Sequence, residues 1–192
     1  MLLDGSDWRK YFDAMERDAW RLEVHSVYTM PQEEEAIRRF QEGQPVTASD
    51  TAAWTERLQG YRSTGRTVGR VHVITRPLTE YLRFEFAHYR HNVDAGEDVR
   101  ILDLTDRGNP GLPDQDFWMF DDSRVVLMNY RHDGTQINRE VFEGDHQPYA
   151  EWKRRDVTEH LEVFSLYEHV AVFGEQARRQ LYEWSEMYRR DL

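Results

Sequence analysis

The chain has 192 residues, 39% of them hydrophobic and 32% charged, with a formal net charge of −11 and no cysteine. That length suits one domain with a core of its own. The missing cysteines exclude a disulfide scaffold, a thiolate-held zinc or iron–sulfur centre and a thiol nucleophile, and the acidic surplus argues against a stand-alone nucleic-acid binder, which needs a basic face.

The N-terminal part is expected to be mostly helical. Asp4–Asp18 has the spacing of a helix, capped by Ser6 or Asp7, with Trp8, Tyr11, Phe12, Met15 and Ala19 on one side. Trp20–Tyr28 alternates as a half-buried strand, with Trp20, Leu22 and Val24 inward and Arg21, Glu23 and His25 outward. Pro31 opens a short acidic helix, Gln32–Gln41, closed at Gly43. Asp50 or Thr51 caps another, Ala52–Arg62, with Trp54, Leu58 and Tyr61 on one face.

A strand–helix–strand unit follows. Val68–Thr75 is a strand, Pro77 sits at a helix start, Leu78–Ala95 is an amphipathic helix ended by Gly96, and Val99–Leu104 is a second strand. The simplest arrangement is a parallel crossover. After a polar loop comes an antiparallel meander of Phe117–Phe120, Arg124–Tyr130 and Thr135–Phe142, with His132-Asp133-Gly134 as a hairpin turn. Beyond Pro148 the chain is expected to be helical, with an apolar seam from Leu166 through Val170, Phe173, Ala177, Leu181 and Trp184 to Tyr188. The expected fold is α/β (or α+β): one domain with a central mixed sheet, flanking helices and a long C-terminal helix. Residues 1–65 form its helical part, 66–145 its core and 146–192 its C-terminal helices. Trp20, Leu22, Val24, Val71, Val73, Leu82, Phe86, Ile101, Leu102, Trp118, Phe120, Val126, Met128, Ile137, Val141, Leu161 and Phe164 are the expected core.

The first seven residues show no signal-peptide pattern and no apolar run is long enough for a bilayer, so no membrane association and a cytoplasmic location are expected. Glu85 and His88 have the i, i+3 spacing used in di-iron bundles, with His91 a further three on. A bundle of that kind needs a second Glu-x-x-His, which the chain lacks, so a polar helix face is expected and no metal or cofactor. There is no P-loop, no G-x-G-x-x-G and no G-x-S-x-G. No catalytic residue is assigned.

Two resemblances bear on function. The stretch Val68–Tyr130, with Val71-His72-Val73-Ile74, a Gly-ended helix, Val99-Arg100-Ile101-Leu102 and a meander containing Asp121, resembles half of a phospholipase D-type domain. In that superfamily a His nucleophile and a phosphate-holding Lys precede the Asp. Here Asp114 and Asp116 stand in their places and Asn129 lies where a motif Asn is expected, so the resemblance implies a phosphodiesterase site without its chemistry, because paired carboxylates repel phosphate. The chain as a whole resembles an uncharacterised actinobacterial family through Trp8 with Phe12, the run Arg21–Tyr28, Phe84-Glu85-Phe86, Asp116-Phe117-Trp118, and Asp121 before Val125–Tyr130. Members are often encoded beside helix-turn-helix regulators, which implies a regulatory accessory role.

The expected function is therefore a non-catalytic binding or regulatory protein. Its partner would be a DNA-binding regulator protein, a small ligand or a second copy of the chain. An enzyme acting on a small anionic substrate is the alternative. Its cleft would lie at the C-terminal strand ends. There Arg76 and Arg131 would grip an anion, His132 would exchange protons, and Asp103, Asp121 and Asn129 would complete the site.

Overall fold

The sheet is built around a strand from the N-terminal part. The computed structural model describes residues 1–3, 5–106, 108–158 and 164–165. Its strands are β1 (Asp18–Glu23), β2 (Thr67–Ile74), β3 (Glu97–Asp103), β4 (Asp116–Phe120), β5 (Arg124–Tyr130), β6 (Gln136–Val141) and the two-residue β7 (Phe164–Ser165), in the order β6-β5-β4-β1-β2-β3-β7. β1, β2 and β3 are parallel, while β4, β5, β6 and β7 pair antiparallel with their neighbours. The helices are α1 (Gly5–Asp13), α2 (Glu34–Gln41), α3 (Ala48–Ser63), α4 (Glu80–Ala95) and α5 (Gln147–Thr158), with a 3-10 turn at Pro31–Glu33. None of them is long and apolar enough to cross a membrane.

Because side chains alternate along a strand, the sheet divides its apolar residues between two layers. On one face Val68, Trp118, Phe120, Val126 and Met128 pack with Phe12 of α1 and Leu58 and Tyr61 of α3. Farther along that face Ile74, Val99 and Ile101 pack with Leu82 and Tyr89 of α4. On the other, Trp20, Leu22, Val71, Leu102, Phe117 and Met119 meet Ala150, Tyr149 and Trp152 of α5. α4 begins where Thr79 Oγ1 accepts the Leu82 amide at 3.1 Å and ends at Gly96, whose φ of 107° is open to glycine.

The α/β class, the parallel β2–α4–β3 unit and the antiparallel meander agree with the sequence reading. Several details differ. Pro77 lies in the turn before α4, which starts at Glu80. Thr47 precedes α3 as its cap, with Asp50 Oδ2 accepting the Thr47 amide at 2.8 Å, so Asp50 belongs to the first turn. Arg21 and Glu23 do not face solvent: β1 is a central strand covered on both sides, and its pattern has no exposed residue. Ile137 is 55% exposed because it sits on the end strand β6. Val24, Val73, Phe86 and Val141 are only partly buried. Phe164–Ser165 is a strand against β3, not helix; Leu161 and the seam from Leu166 to Tyr188, with the long C-terminal helix it implied, lie outside the described residues.

Asp121 shows how a hairpin can anchor a distant segment. It and Asp122 have φ of 53° and 56°, a left-handed pair that turns β4 into β5. The Asp121 carboxylate accepts the amides of Glu16, Arg17 and Asp18 at 2.7–3.2 Å and the Arg124 guanidinium at 2.7 Å. Burial alone would raise its pKa, but these donors hold it below the usual carboxylate range. Asp121→Asn keeps the left-handed preference and removes the charge. It is expected to cost about 1–2 kcal/mol, measured by urea unfolding; an unchanged midpoint would show that the carboxylate's charge is not what fixes residues 16–18.

Candidate functional site

Between the α1/α3 apolar cluster and the α4 cluster, the same sheet face carries charged residues. Arg21 and Arg70 are register partners on β1 and β2, as are Glu23 and His72. Glu97 opens β3 and Asp116 opens β4. Glu23 accepts from Arg21 at 3.0 Å and from Arg70 at 3.0 Å, and Arg70 reaches Glu97 at 2.7 Å. Arg21 lies 3.6 Å from Asp116, whose carboxylate also accepts the Tyr28 hydroxyl at 2.6 Å and the Val24 amide at 2.9 Å. Tyr89 donates to Glu23 at 2.9 Å, and its oxygen is 2.7 Å from His72 Nδ1. His72 Nε2 donates to the His25 carbonyl at 2.9 Å.

Electrostatics divides these carboxylates into two kinds. Burial works to raise Glu23, yet Arg21, Arg70 and His72 pull it down to about 2. Burial wins at Asp116 and Glu85, with Glu23 adding repulsion at both, so each is held above its ordinary value. Burial together with the Glu85 charge pushes Glu33 up to about 7. Burial pushes His88 down to about 4, which leaves its imidazole neutral at neutral pH.

The network borders a cavity of about 370 Å³ roofed by α1, α3, α4 and the Pro31–Glu33 turn. Aromatic walls come from Trp8, Trp54, Trp118, Tyr28 and Tyr81. Among the described residues, four buried polar atoms have no hydrogen-bond partner: Arg21 Nε, Glu85 Oε2, His88 Nε2 and Arg139 Nε. All four residues line this cavity. Buried polar groups in folded proteins are almost always paired, so four unmet atoms around one space mark it as a place prepared for something else.

Of the side chains that carry the whole-chain resemblance, Trp8, Phe12, Arg21, Tyr28, Glu85 and Trp118 border the cavity, while Phe84, Phe86, Asp116, Phe117 and Asp121 do not. A family described as a domain of unknown function (DUF6879) matches residues 6–169. The chain belongs to this family. No curated protein matches it.

The candidate residues of the sequence reading lie elsewhere in this DUF6879 fold. Arg76 Nε and Asp103 do meet, at 2.8 Å, at the adjacent ends of β2 and β3, with Thr105 donating to Asp103 at 2.9 Å. Arg131 and His132 are exposed in the β5–β6 turn. Three strand spacings separate the ends of β2 and β5, roughly 14 Å, so Arg76 and Arg131 do not converge. Asn129 donates to Asn138 at 2.8 Å within the β5–β6 ladder, and Asp121 is the hairpin anchor. Asp114 and Asp116 do not act as a pair, since one is exposed and the other fully buried against Arg21. Of the cavity's ionisable residues, Glu85 and His88 stand out in the sequence through their i, i+3 spacing. Arg21 and Glu23 belong to the run behind the family resemblance but otherwise read as the outward side of an alternating strand, and Glu33 and Arg139 carry no local signal at all.

Proposed function

We propose that this protein is a non-catalytic binding module whose cavity takes a small organic anion. The observation that carries this reading is Arg139. Among the described residues no carboxylate pairs with it. Its guanidinium lies 5.5 Å from the Trp8 ring centre, its Nε is buried and unpartnered, and burial lowers its pKa. An anion would supply the missing acceptor, because a charged hydrogen bond in a partly desolvated site is strong and directional. Arg21 offers a second unmet N–H to the same space, and the Trp8, Trp54 and Trp118 walls suit a ligand with an apolar body.

The output of such a module would pass to a partner. The net charge of −11 favours a basic one, and the family resemblance suggests a helix-turn-helix regulator in an actinobacterial host.

The test is thermal unfolding and tryptophan fluorescence against small mono-, di- and tricarboxylates and phosphate monoesters. At a concentration 100 times Kd, a bound anion adds about 2.7 kcal/mol of stability and changes the emission of the wall tryptophans. Arg139→Gln is expected to abolish both effects while folding normally. If no anion shifts the native protein, or if Arg139→Gln responds equally, the reading is wrong.

A further inference from the structure

The opposite end of the cavity is acidic. Glu85 and His88 project from one face of α4, three residues apart. The Pro31–Glu33 turn brings Glu33 against them, held by a 3.1 Å hydrogen bond from Tyr81. Each of the three offers one ligand atom, and these atoms all lie within 4.8 Å of one another.

We propose that Glu33, Glu85 and His88 form a site for one divalent transition-metal ion, three protein ligands whose remaining coordination positions open into the cavity.

Three observations support it. Glu85 and His88 are only 8% and 9% exposed, and Glu85 Oε2 and His88 Nε2 have no partner. A buried carboxylate oxygen and a buried imidazole nitrogen left unmet side by side are both lone-pair donors, and one cation would satisfy them together. The surrounding charge also calls for a cation. The buried carboxylates Glu23, Glu85, Glu97 and Asp116, with Glu33 beside them, outnumber the guanidiniums of Arg21 and Arg70 that pair with them. Arg70 reaches Glu85 only at 4.0 Å and already holds Glu23 and Glu97.

The donor set narrows the ion. Two carboxylate oxygens and one imidazole suit Zn²⁺, Fe²⁺ or Mn²⁺; Mg²⁺ and Ca²⁺ prefer oxygen alone, and Cu⁺ prefers sulfur. Ligand atoms bound at about 2.0–2.2 Å around one tetrahedral ion stand about 3.3–3.6 Å apart, so a pair at the 4.8 Å limit would draw together by about 1 Å as the ion binds. Three protein ligands with an open position is the pattern of zinc sites that receive a further ligand. The proposal goes beyond the anion reading and rests on different residues.

The test is calorimetric titration of the chelator-stripped full-length chain with Zn²⁺ alone, repeated with Mg²⁺, with no organic anion present. Binding of one Zn²⁺ per chain is expected, with a rise in the thermal midpoint and no Mg²⁺ binding at equal concentration. Glu33→Gln and His88→Ala should each weaken Zn²⁺ at least tenfold and remove the thermal rise, while His132→Ala, in the exposed turn, should change neither. Glu33 sits on a half-buried turn outside the apolar core, so Glu33→Gln keeps the test decisive if His88→Ala fails to fold. No Zn²⁺ binding by the native chain, or binding unaltered by Glu33→Gln, overturns the proposal. Either result leaves the anion reading to be judged by its own dependence on Arg139.

Discussion

Arg70→Met is expected to cost about 3–5 kcal/mol of folding stability. The guanidinium is 6% exposed, holds Glu23 at 3.0 Å and Glu97 at 2.7 Å, and lies 5.0 Å from the Tyr89 ring centre. Methionine fills similar space, so little of the loss would come from packing. The loss comes from leaving Glu97 and part of Glu23 buried without a countercharge, and an unpaired buried charge costs far more than the pair itself contributes. A domain with a total stability of about 5–15 kcal/mol would then be marginal or unfolded at room temperature. The comparison that separates charge from packing is the double variant Arg70→Met, Glu97→Gln. Neutralising the stranded Glu97 should restore a measurable part of the loss in urea unfolding, and the double variant should be more stable than Arg70→Met alone. If Arg70→Met costs under about 1 kcal/mol, the network is not confined to the low-dielectric setting its burial implies.

How far the sequence reveals this molecule depends on which residues face water. Short apolar runs bounded by turn residues locate β2, β4 and β5, and helical spacing with Gly96 as stop locates α4, because each signal is local. Alternation is misleading on β1. Arg21 and Glu23 look like the wet side of an edge strand, and only the insertion of β1 between β4 and β2 shows that both sides are covered. β4 hides its core in another way: Phe117, Trp118, Met119 and Phe120 are all buried, so no period is visible and Phe117 and Met119 escape a reading that selects alternate residues. The site follows the same rule. The Glu85-x-x-His88 spacing is legible because both residues lie on one helix. Glu33 is 52 positions before Glu85, and nothing local ties the two. Arg139 is also invisible in sequence, since its significance is an unmet hydrogen bond, which depends on what the fold places around it.

Glu23→Gln is expected to remove about 3 kcal/mol at neutral pH and progressively less in acid. Glu23 falls from 4.5 in the unfolded chain to about 2 in the folded one. A carboxylate shifted in that direction contributes its full stabilisation above the unfolded value. The contribution declines as pH drops below about 4.5 and is lost below about 2, where Glu23 is protonated in both states. Glutamine still accepts from Tyr89 and is close in shape, so the wild-type chain in strong acid resembles the variant. The two stability curves should therefore stand apart at pH 6–7 and approach one another between pH 4.5 and 2. Asp116 and Glu85, which burial raises and the Glu23 charge raises further, act in the opposite sense; the variant lacks that repulsion, which narrows the gap at pH 6–7. Urea unfolding at several pH values gives that difference directly. A gap between wild type and Glu23→Gln that stays constant from pH 7 to 3 would mean that Arg21 and Arg70 do not hold Glu23 ionised, and the charged network would have to be redrawn with the proton on Glu23.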